Sequence, residues 1–298
     1  MTSIITRPLV AAVVAAALTA PVGVQAATST LYSNNAGTPL VQSFDKASGN
    51  QIFSFTGSGG NGRGVVVVGD VVYTTDANSG TVGKFNRSTG VSLGGFSIAG
   101  VTGISTISYD GDNFWTSDYT GSNKAYLVSP TGTLLKTITL SKSQGFYDGL
   151  EYFNGKLIAN RFDGGLGGGN QYSVYDTNGL LLTENFIDTT GNGNGTGIAF
   201  DGTNFYISDI FNRRATIWSG VSGGFLGALT LQNSANVIED LSFDFEARDD
   251  TCRVNCVPAI PEPETWALMA IGLFGVAAAA RRKKAGCAIG GSSGPGIP

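Results

Sequence analysis

The side chains that could do chemistry in this chain are carboxylates, amides and hydroxyls, because its 298 residues include no histidine. Without histidine, a Ser-His-Asp triad, a Cys-His dyad, an HExxH zinc site and a His-ligated copper or iron centre are all excluded. The chemistry that remains suits calcium binding or glycoside hydrolysis. The candidate groups recur where strands are expected to begin or end: Asp76, Asp118, Asp148, Glu151, Asn160 with Arg161, Asp209, Glu239 and Asp240.

Two of these acids are candidate metal ligands, Glu151 and Asp209. Glu151 falls in an inner strand where the other repeats have a small or apolar residue. An unpaired carboxylate would be costly to bury there, so a cation or Arg161 is expected beside it. Asp209 ends a strand, and the competing interpretation is that an aspartate repeated at strand ends caps a turn by accepting backbone N–H groups. Both interpretations stay open.

An internal repeat predicts the elements that position these acids, and it returns every 41 to 48 residues. The clearest copies are residues 107–118 (ISYDGDNFWTSD) and 198–209 (IAFDGTNFYISD), and residues 65–76 and 149–160 are weaker copies. Each copy predicts a strand, a tight turn and a second strand. Asp110-Gly111 and Asp201-Gly202 favour type I′ turns, because glycine accepts a positive φ.

A second pair of strands follows each copy, so that about 43 residues supply four antiparallel strands, which is typical of a β-propeller blade. Four complete blades are predicted, with two fragments left over. Residues 239–246 would supply the first strand of a fifth blade, and residues 31–55 its other three. We therefore expect an all-β propeller of five blades, or alternatively six, in which the strands from the two ends of the chain close one blade and leave no exposed sheet edge there.

The N-terminal residues resemble an export signal in their pattern. Arg7 precedes an apolar stretch over residues 9–20, and Val24-Gln25-Ala26 supplies the small residues that a signal peptidase reads. Cleavage is predicted after Ala26. The chain then divides into a signal peptide over residues 1–26 and an ectodomain over residues 27–257.

The C-terminal residues carry a second signal. A proline-acid-proline step precedes sixteen uncharged residues over 265–280, and four cations follow directly. The run is just short of the usual length of about 17 to 25 residues for a membrane-spanning helix, and the cations should stay in the cytoplasm, so the ectodomain lies outside the inner membrane. The groups that form the signal are Pro261, Glu262, Pro263, Arg281, Arg282, Lys283 and Lys284.

This tail resembles the PEP-CTERM sorting signal of Gram-negative bacteria. The resemblance covers residues 258–284 and implies recognition and processing by an exosortase, after transient anchoring in the inner membrane. Residues 285–298 form a short further tail that departs from the usual ending of that family. The expected location is then the cell surface or the extracellular space.

Charge and cysteine content limit the classes of partner and of metal site that the chain is expected to have. From residue 27 to residue 264, 13 Lys and Arg face 22 Asp and Glu, a net charge of about −9 that repels nucleic acid. Cys252 and Cys256 lie in the oxidising compartment, where they are expected to form a disulfide, with free thiols as the alternative. Without further Cys or His, the pair is a poor zinc site.

Residues 197–218 (GIAFDGTNFYISDIFNRRATIW) resemble a blade of NHL-type and gluconolactonase-like propellers. That resemblance implies a calcium-dependent lactonase that uses a Glu, an Asn and an Asp in the axial channel. Asp209 matches the aspartate of that set, whereas Thr196 stands where the asparagine would be. The resemblance therefore supports the fold more than the activity.

Two functions follow from these observations. The preferred one is a non-enzymatic surface or extracellular-matrix propeller that binds or organises exopolysaccharide or a protein partner, with no cofactor. The alternative is a calcium-dependent lactonase or other hydrolase in which Glu151 and Asp209 are metal ligands. Signal peptidase, exosortase and the inner membrane are the partners expected in transit, and nucleic acid is not a partner.

Overall fold

A computed structural model describes residues 30–119, 122–141, 148–161 and 170–245. The predicted signal peptide, the sorting signal with its spanning helix, and the Cys252 and Cys256 pair lie outside these residues. The described part contains strands and turns. Within those four ranges, no helix is long and apolar enough to cross a membrane.

Twenty strands make up the described fold, and successive strands are joined by short turns or connections. Their bounds are β1 Thr30–Asn35, β2 Leu40–Asp45, β3 Gln51–Thr56, β4 Gly62–Val68, β5 Val71–Asp76, β6 Thr81–Asn86, β7 Ser92–Ser97, β8 Ile104–Tyr109, β9 Phe114–Asp118, β10 Lys124–Val128, β11 Leu134–Thr139, β12 Leu150–Phe153, β13 Lys156–Arg161, β14 Gln171–Asp176, β15 Leu181–Asp188, β16 Gly195–Phe200, β17 Asn204–Asp209, β18 Arg214–Ser219, β19 Phe225–Thr230 and β20 Ile238–Phe245.

Four repeats consist of consecutive antiparallel strands: β4–β7, β8–β11, β12–β15 and β16–β19. A fifth, which we call the closing repeat, has the order β20, β1, β2, β3. Leu31 of β1 lies opposite Phe243 of β20 in an antiparallel ladder, which confirms the predicted pairing of the two ends of the chain. The described all-β architecture is that of a β-propeller.

The first strands of the repeats surround one axis. Each of β4, β8, β12, β16 and β20 contacts the first strand of both neighbouring repeats, and β20 also pairs in parallel with β4 at Asp244 and Val67. The turn between the third and fourth strands of a repeat packs on the outer strand of the repeat before it. A Cβ on Gly49 would collide with the carbonyl oxygen of Thr230, which shows how tightly the closing repeat lies against the repeat β16–β19.

Two ends of the ring are distinguished by their connections. The hairpin face carries the turns between first and second strands and between third and fourth strands. The loop face carries the turns between second and third strands and the connections between repeats, so all first strands begin at the loop face. The backbone of Phe245 lies opposite Val68 at the hairpin face, where β20 ends.

The predicted type I′ turns are wrong at both Asp-Gly sites. The turn residues after Asp110 are Gly111 and Asp112, of which only Gly111 has a positive φ (101°), whereas type I′ requires it at both. The Asp110 carboxylate instead accepts the N–H groups of Asp112 and Asn113, at 3.0 and 2.7 Å. Asp201 caps its own turn in the same way. Two consecutive turn residues with a positive φ, as type I′ requires, occur instead in the weaker copy at residues 149–160. They are Asn154 (48°) and Gly155 (78°).

The apolar core lies between adjacent sheets rather than on the axis. Four aromatic side chains of second strands are buried in it: Phe114, Trp115, Phe205 and Tyr206. Phe205 stacks edge-on against Phe153 of the preceding repeat at 4.9 Å between ring centroids. This packing holds the sheets at fixed angles and so fixes the side chains that point to the axis.

Candidate functional site

Four carboxyl groups and one guanidinium converge where the first strands begin, at the loop-face end of the axis. We call them the axial cluster. Asp148 precedes β12, Glu151 is the second residue of β12, Glu239 and Asp240 begin β20, and Arg63 is the second residue of β4. The four acids are 0 to 4% exposed and Arg63 is 9% exposed. Ionised groups buried so deeply need partners or must change protonation state.

Arg63 is the cation of the axial cluster. Its guanidinium donates to Glu239 and lies 3.9 Å from a carboxylate oxygen of Asp148. It also donates to the hydroxyl of Tyr119 at 2.8 Å and lies 4.4 Å from the centre of that ring. One positive charge therefore faces two acids directly, and the other two acids lie beyond it.

The two acids that Arg63 contacts hold their protons more tightly than usual. Burial raises the pKa of Asp148 to about 6, although Arg63 and the Ser105 hydroxyl, which donates at 2.9 Å, both lower it. Burial also raises the pKa of Glu239 to about 7, and the charge of Asp148 raises it further while Arg63 opposes the shift. A single proton can therefore be held between these acids near neutral pH.

The remaining two acids have no cation among their described neighbours. Burial raises the pKa of Asp240 well above its usual value, although the N–H groups of Leu241 and Val65 and the Thr106 hydroxyl donate to its carboxylate. Burial, together with the charge of Asp240, likewise raises the pKa of Glu151. The Oε1 atom of Glu151 has no hydrogen-bond partner, and the same is true of Oε2 of Glu239. A protonated carboxyl is the favoured form at such a position.

The expectation for Glu151 is met only in part. The residue is buried on an inner strand as predicted, but the charge that acts on it is that of another acid, Asp240. The side chain of Arg161, its other expected partner, lies outside the described set. Among the described residues, no cation compensates for the burial of Glu151, so its carboxylate is neutralised by binding a proton.

The aspartates at the ends of second strands cap loops. The Asp76 carboxylate accepts the N–H groups of Asn61 and Asn78, at 2.8 and 2.7 Å. Asp118 accepts the hydroxyls of Ser122 and Tyr126. Each of these acids is therefore engaged by its own repeat rather than presented to the axis.

Asp209 is engaged in the same way and is also ion-paired. It accepts the side-chain amide of Asn212 and the guanidinium of Arg214, both at 2.7 Å, and the N–H of Asn194 at 3.1 Å. These neighbours differ from those of Glu151, so the contacts of the two predicted ligands do not overlap. Among the described residues, no group of three or more acids or cysteines is arranged to hold a metal ion. The metal role of Glu151 and Asp209 stays a prediction.

Thr196 stands where the lactonase-like pattern has an asparagine, and its hydrogen bonds are internal. Its hydroxyl lies 2.7 Å from that of Ser208, and its carbonyl accepts the Tyr172 hydroxyl at 2.6 Å. The Asn160 side chain accepts the N–H groups of Asp148 and Gly149, both at 3.0 Å. The polar side chains of Thr196 and Asn160 are thus engaged by other residues of the described structure.

Sequence reasoning missed Arg63 and an open cleft. Arg63 had a detectable signal, since a charged residue flanked by glycines opens the strand GRGVVVV.

The cleft lies at the loop face between the closing repeat and the repeat β16–β19 and has a volume of about 460 Å³. It could not be predicted, because residues distant in sequence line it: Ala36, Gly37, Thr38, Arg213, Ala235, Asn236 and Val237.

Arg213 is the only charged residue of the cleft lining. It has a positive φ of 50°, which is unusual for a residue other than glycine. Its guanidinium donates twice to the Asn236 side-chain oxygen, from Nε at 2.8 Å. A strained residue held by its neighbours at a concave surface is a feature that clusters at functional sites.

Residues 259–283 match the model of the PEP-CTERM protein-sorting motif. The match includes Pro261, Glu262 and Pro263 and extends through Lys283, which confirms the sorting signal read from the sequence. The motif indicates an exported protein that is anchored in the membrane in transit and processed by an exosortase, in a Gram-negative bacterium. No curated protein matches the chain.

Solved structures resemble the chain in fold. A chain from the crystal structure of a nidogen/laminin complex aligns over 72% of this chain and 97% of its own length, with 10% identity and a TM-score of 0.50. A Myxococcus xanthus glutaminyl cyclase aligns over 67% of this chain and 73% of its own, with 13% identity and a TM-score of 0.45. At these identities only the fold of the first is informative.

Proposed function

We propose that this chain is a non-enzymatic surface or extracellular-matrix protein, released or transferred after exosortase processing, whose five-bladed propeller binds exopolysaccharide through the cleft at Arg213. The five first strands contact one another in a closed order, which supports five blades rather than six. β1 begins at Thr30, four residues after the predicted cleavage at Ala26, which is compatible with removal of the signal peptide.

The open cleft is the observation that carries this proposal. Its volume lies within the range of about 300 to 1,000 Å³ that is usual for ligand sites. The hydroxyl of Thr38, the amide of Asn236 and the guanidinium of Arg213 are hydrogen-bonding groups that suit sugar hydroxyls. The acidic surface of the domain favours a neutral polymer over an anionic one.

The axial cluster supports a binding protein over an enzyme. Its carboxyl groups are at most 4% exposed, and three of them, Asp148, Glu239 and Asp240, accept hydrogen bonds from the protein itself. A general acid or base must come within hydrogen-bond reach of a substrate atom, and these carboxyls lie below the surface. The cluster is therefore assigned to the interior of the ring rather than to catalysis.

Retention of the exported chain on a neutral oligosaccharide array and on purified extracellular polysaccharide tests the proposal. Arg213→Ala should reduce retention at least about tenfold, the equivalent of one lost charged hydrogen-bonding group. Lys156→Ala, an exposed cation at the opposite hairpin face, is the matched control and should leave retention unchanged. Absence of retention for the wild-type chain, or equal retention by Arg213→Ala, contradicts the proposal.

A calcium-dependent hydrolase remains the second candidate, and the unpaired Oε1 of Glu151 is the observation that favours it. Calcium binding would have to draw Asp209 away from Arg214. The melting temperature with excess calcium and then with EDTA tests this candidate, since a ligand at about 100 times its Kd adds about 2.7 kcal/mol. A calcium-dependent rise that Glu151→Gln abolishes, with activity on a panel of lactones, would establish it.

A further inference from the structure

Exposed apolar side chains are concentrated on one face of the ring. Of the eleven large apolar side chains that are exposed among the described residues, ten lie in or next to the turns between third and fourth strands, at the hairpin face. Phe211, at the loop face, is the exception. Scattered exposed leucines need no explanation, but concentration on one face marks an interaction surface.

Five of these residues occupy the same register position, one in each repeat. We call them the rim residues: Ile52, Leu93, Leu135, Leu182 and Leu226. Each follows the outer-strand residue that pairs with the end of the third strand; Gln51 opposite Phe44 and Phe225 opposite Trp218 are two of these pairs. The rim residues are 46% to 59% exposed.

A β-bulge accounts for this exposure. In every repeat the register between the third and fourth strands shifts at the rim residue, as it does at Leu226 between the pairs Trp218–Phe225 and Ile217–Gly227. A bulge inserts an unpaired residue and redirects its side chain. The bulge therefore turns one aliphatic side chain outward at the equivalent position of each of five repeats.

The chain itself leaves the ring on this face. β20 ends at Phe245 beside Val68, level with the first hairpin of the neighbouring repeat. The sorting motif begins at residue 259, so 13 residues separate it from Phe245 and can span at most about 45 Å. This length limits how far the end of β20 can lie from the start of the sorting motif.

We propose that the rim residues form a lipid-docking surface, which rests the hairpin face on the bilayer while the chain is anchored in transit. This inference goes beyond the proposed sugar binding and does not depend on it. Five equivalent side chains around the ring offer several contacts to a bilayer, whereas edge pairing with a second copy would use one outer strand at a time. Tethering makes weak individual contacts sufficient, because the tail keeps the effective concentration of lipid high.

The charged residues of the hairpin face determine whether anionic or zwitterionic lipid is the expected surface. The hairpin-face turns carry more acids than cations. The acids are Asp45, Asp70, Asp110, Asp112, Asp176 and Asp201; of the cations, Lys46 pairs with Asp201, Arg87 pairs with Asp244 and Asp70, and Lys156 is exposed. An acidic rim should be repelled by an anionic bilayer at low salt. Zwitterionic lipid is therefore the expected surface, and this separates docking from non-specific electrostatic adsorption.

Flotation of the exosortase-processed chain with phosphatidylcholine vesicles tests the proposal, at a millimolar lipid concentration that replaces the effective concentration supplied by the tether. The wild-type chain should float, and floating should decrease at low salt when phosphatidylglycerol replaces part of the phosphatidylcholine. A variant with serine at all five rim positions should bind at least about tenfold more weakly, since five half-exposed aliphatic groups are lost. Phe211→Ser, at the loop face, is the matched control and should bind as the wild type does.

Three outcomes would overturn the proposal. They are failure of the wild-type chain to float, equal binding by the five-serine variant, and sedimentation of the wild type as a concentration-dependent oligomer that only the rim substitutions dissolve, without vesicle binding. The last result would assign the rim to a second copy of the chain. Melting curves verify that the variant is folded, and exposed outer-strand positions are expected to tolerate serine.

Discussion

The loop face and the hairpin face of this propeller differ in which side chains they bury and which they expose. At the loop face, four carboxyl groups and a guanidinium are buried around the axis. At the hairpin face, one aliphatic side chain in each repeat projects outward from a bulge. Each arrangement reverses the usual preference for buried apolar and exposed charged groups.

The position of a strand within its repeat explains the difference. First strands have neighbours on both sides and converge on the axis, so polar side chains there must bond to one another or take up protons. Outer strands pair on one side only, and nothing in the described ring covers their bulged residues. The contrast indicates that charge at the loop-face end is enclosed within the ring, while the apolar side chains of the outer strands face outward and are open to contact.

Removal of the axial cation should have the largest effect. Arg63→Met leaves Glu239 and Asp148 buried without their positive partner, and loss of one member of a buried ion pair costs about 3 to 5 kcal/mol of unfolding free energy. Urea unfolding at pH 8 measures this loss, and at pH 5 it should be smaller because the acids can be protonated. Arg87→Met breaks a half-exposed pair with Asp244 and, as the control, should cost at most about 1 kcal/mol.

The unfolding free energy of the wild-type chain should decrease as the pH rises from about 5 to 8. Asp148 and Glu239 have folded-state pKa values of about 6 and 7, above their usual 3.8 and 4.5, so the folded state binds more protons than the unfolded state. The stability gained from these protons is complete below about pH 4 and is lost as the pH passes through 6 and 7. Urea titrations should give a decrease of about 2 to 4 kcal/mol; a flat profile would contradict the axial protonation.

Replacement of Glu151 should increase stability. Burial raises the pKa of Glu151, and the Glu151→Gln variant needs no proton to remain neutral, so it should be more stable than the wild type at pH 8, with a smaller gain at pH 5. Thermal unfolding at both pH values checks this. Destabilisation at pH 8 would instead indicate that an ionised Glu151 has an attractive partner.

Replacement of leucine by alanine should cost less unfolding free energy at an outer strand than at a first strand. Leu226→Ala at the rim should change the unfolding free energy by no more than about 0.5 kcal/mol, because the side chain is 58% exposed. The same substitution at Leu241, buried in β20, should cost about 2 to 5 kcal/mol. Urea unfolding of the pair separates a contact surface from a core, and a similar loss at both positions would show that the rim supports the fold.

The sequence predicted the fold because its signals are local and repeated. Strand, turn and period recur in copies such as residues 107–118, and the leftover fragments at the two ends predicted the pairing of β20 with β1. The turn type at Asp110 could not be read from the Asp-Gly pair, since the carboxylate binds two backbone N–H groups and shifts the turn by one residue.

The candidate sites were predictable only where a residue differs in type from the residues at equivalent positions of the other repeats. Glu151 contrasts with the small residues at equivalent positions, and its burial follows the prediction. The pairing of Arg63 with Glu239 joins residues 176 positions apart, and the cleft at Arg213 joins two repeats that only ring closure brings together. The rim was missed because a bulge reverses the direction of a side chain that alternation alone would predict.

The central claim, that the two faces meet different environments, is tested most directly in the anchored full-length chain. A polarity-sensitive fluorescent amino acid replaces Leu226 at the hairpin face or Phe211 at the loop face, and emission is recorded with the chain inserted in phosphatidylcholine vesicles. We expect a blue shift at residue 226 and the emission of a water-exposed group at residue 211. Equal emission at both residues, or a blue shift at residue 211 alone, would contradict the account.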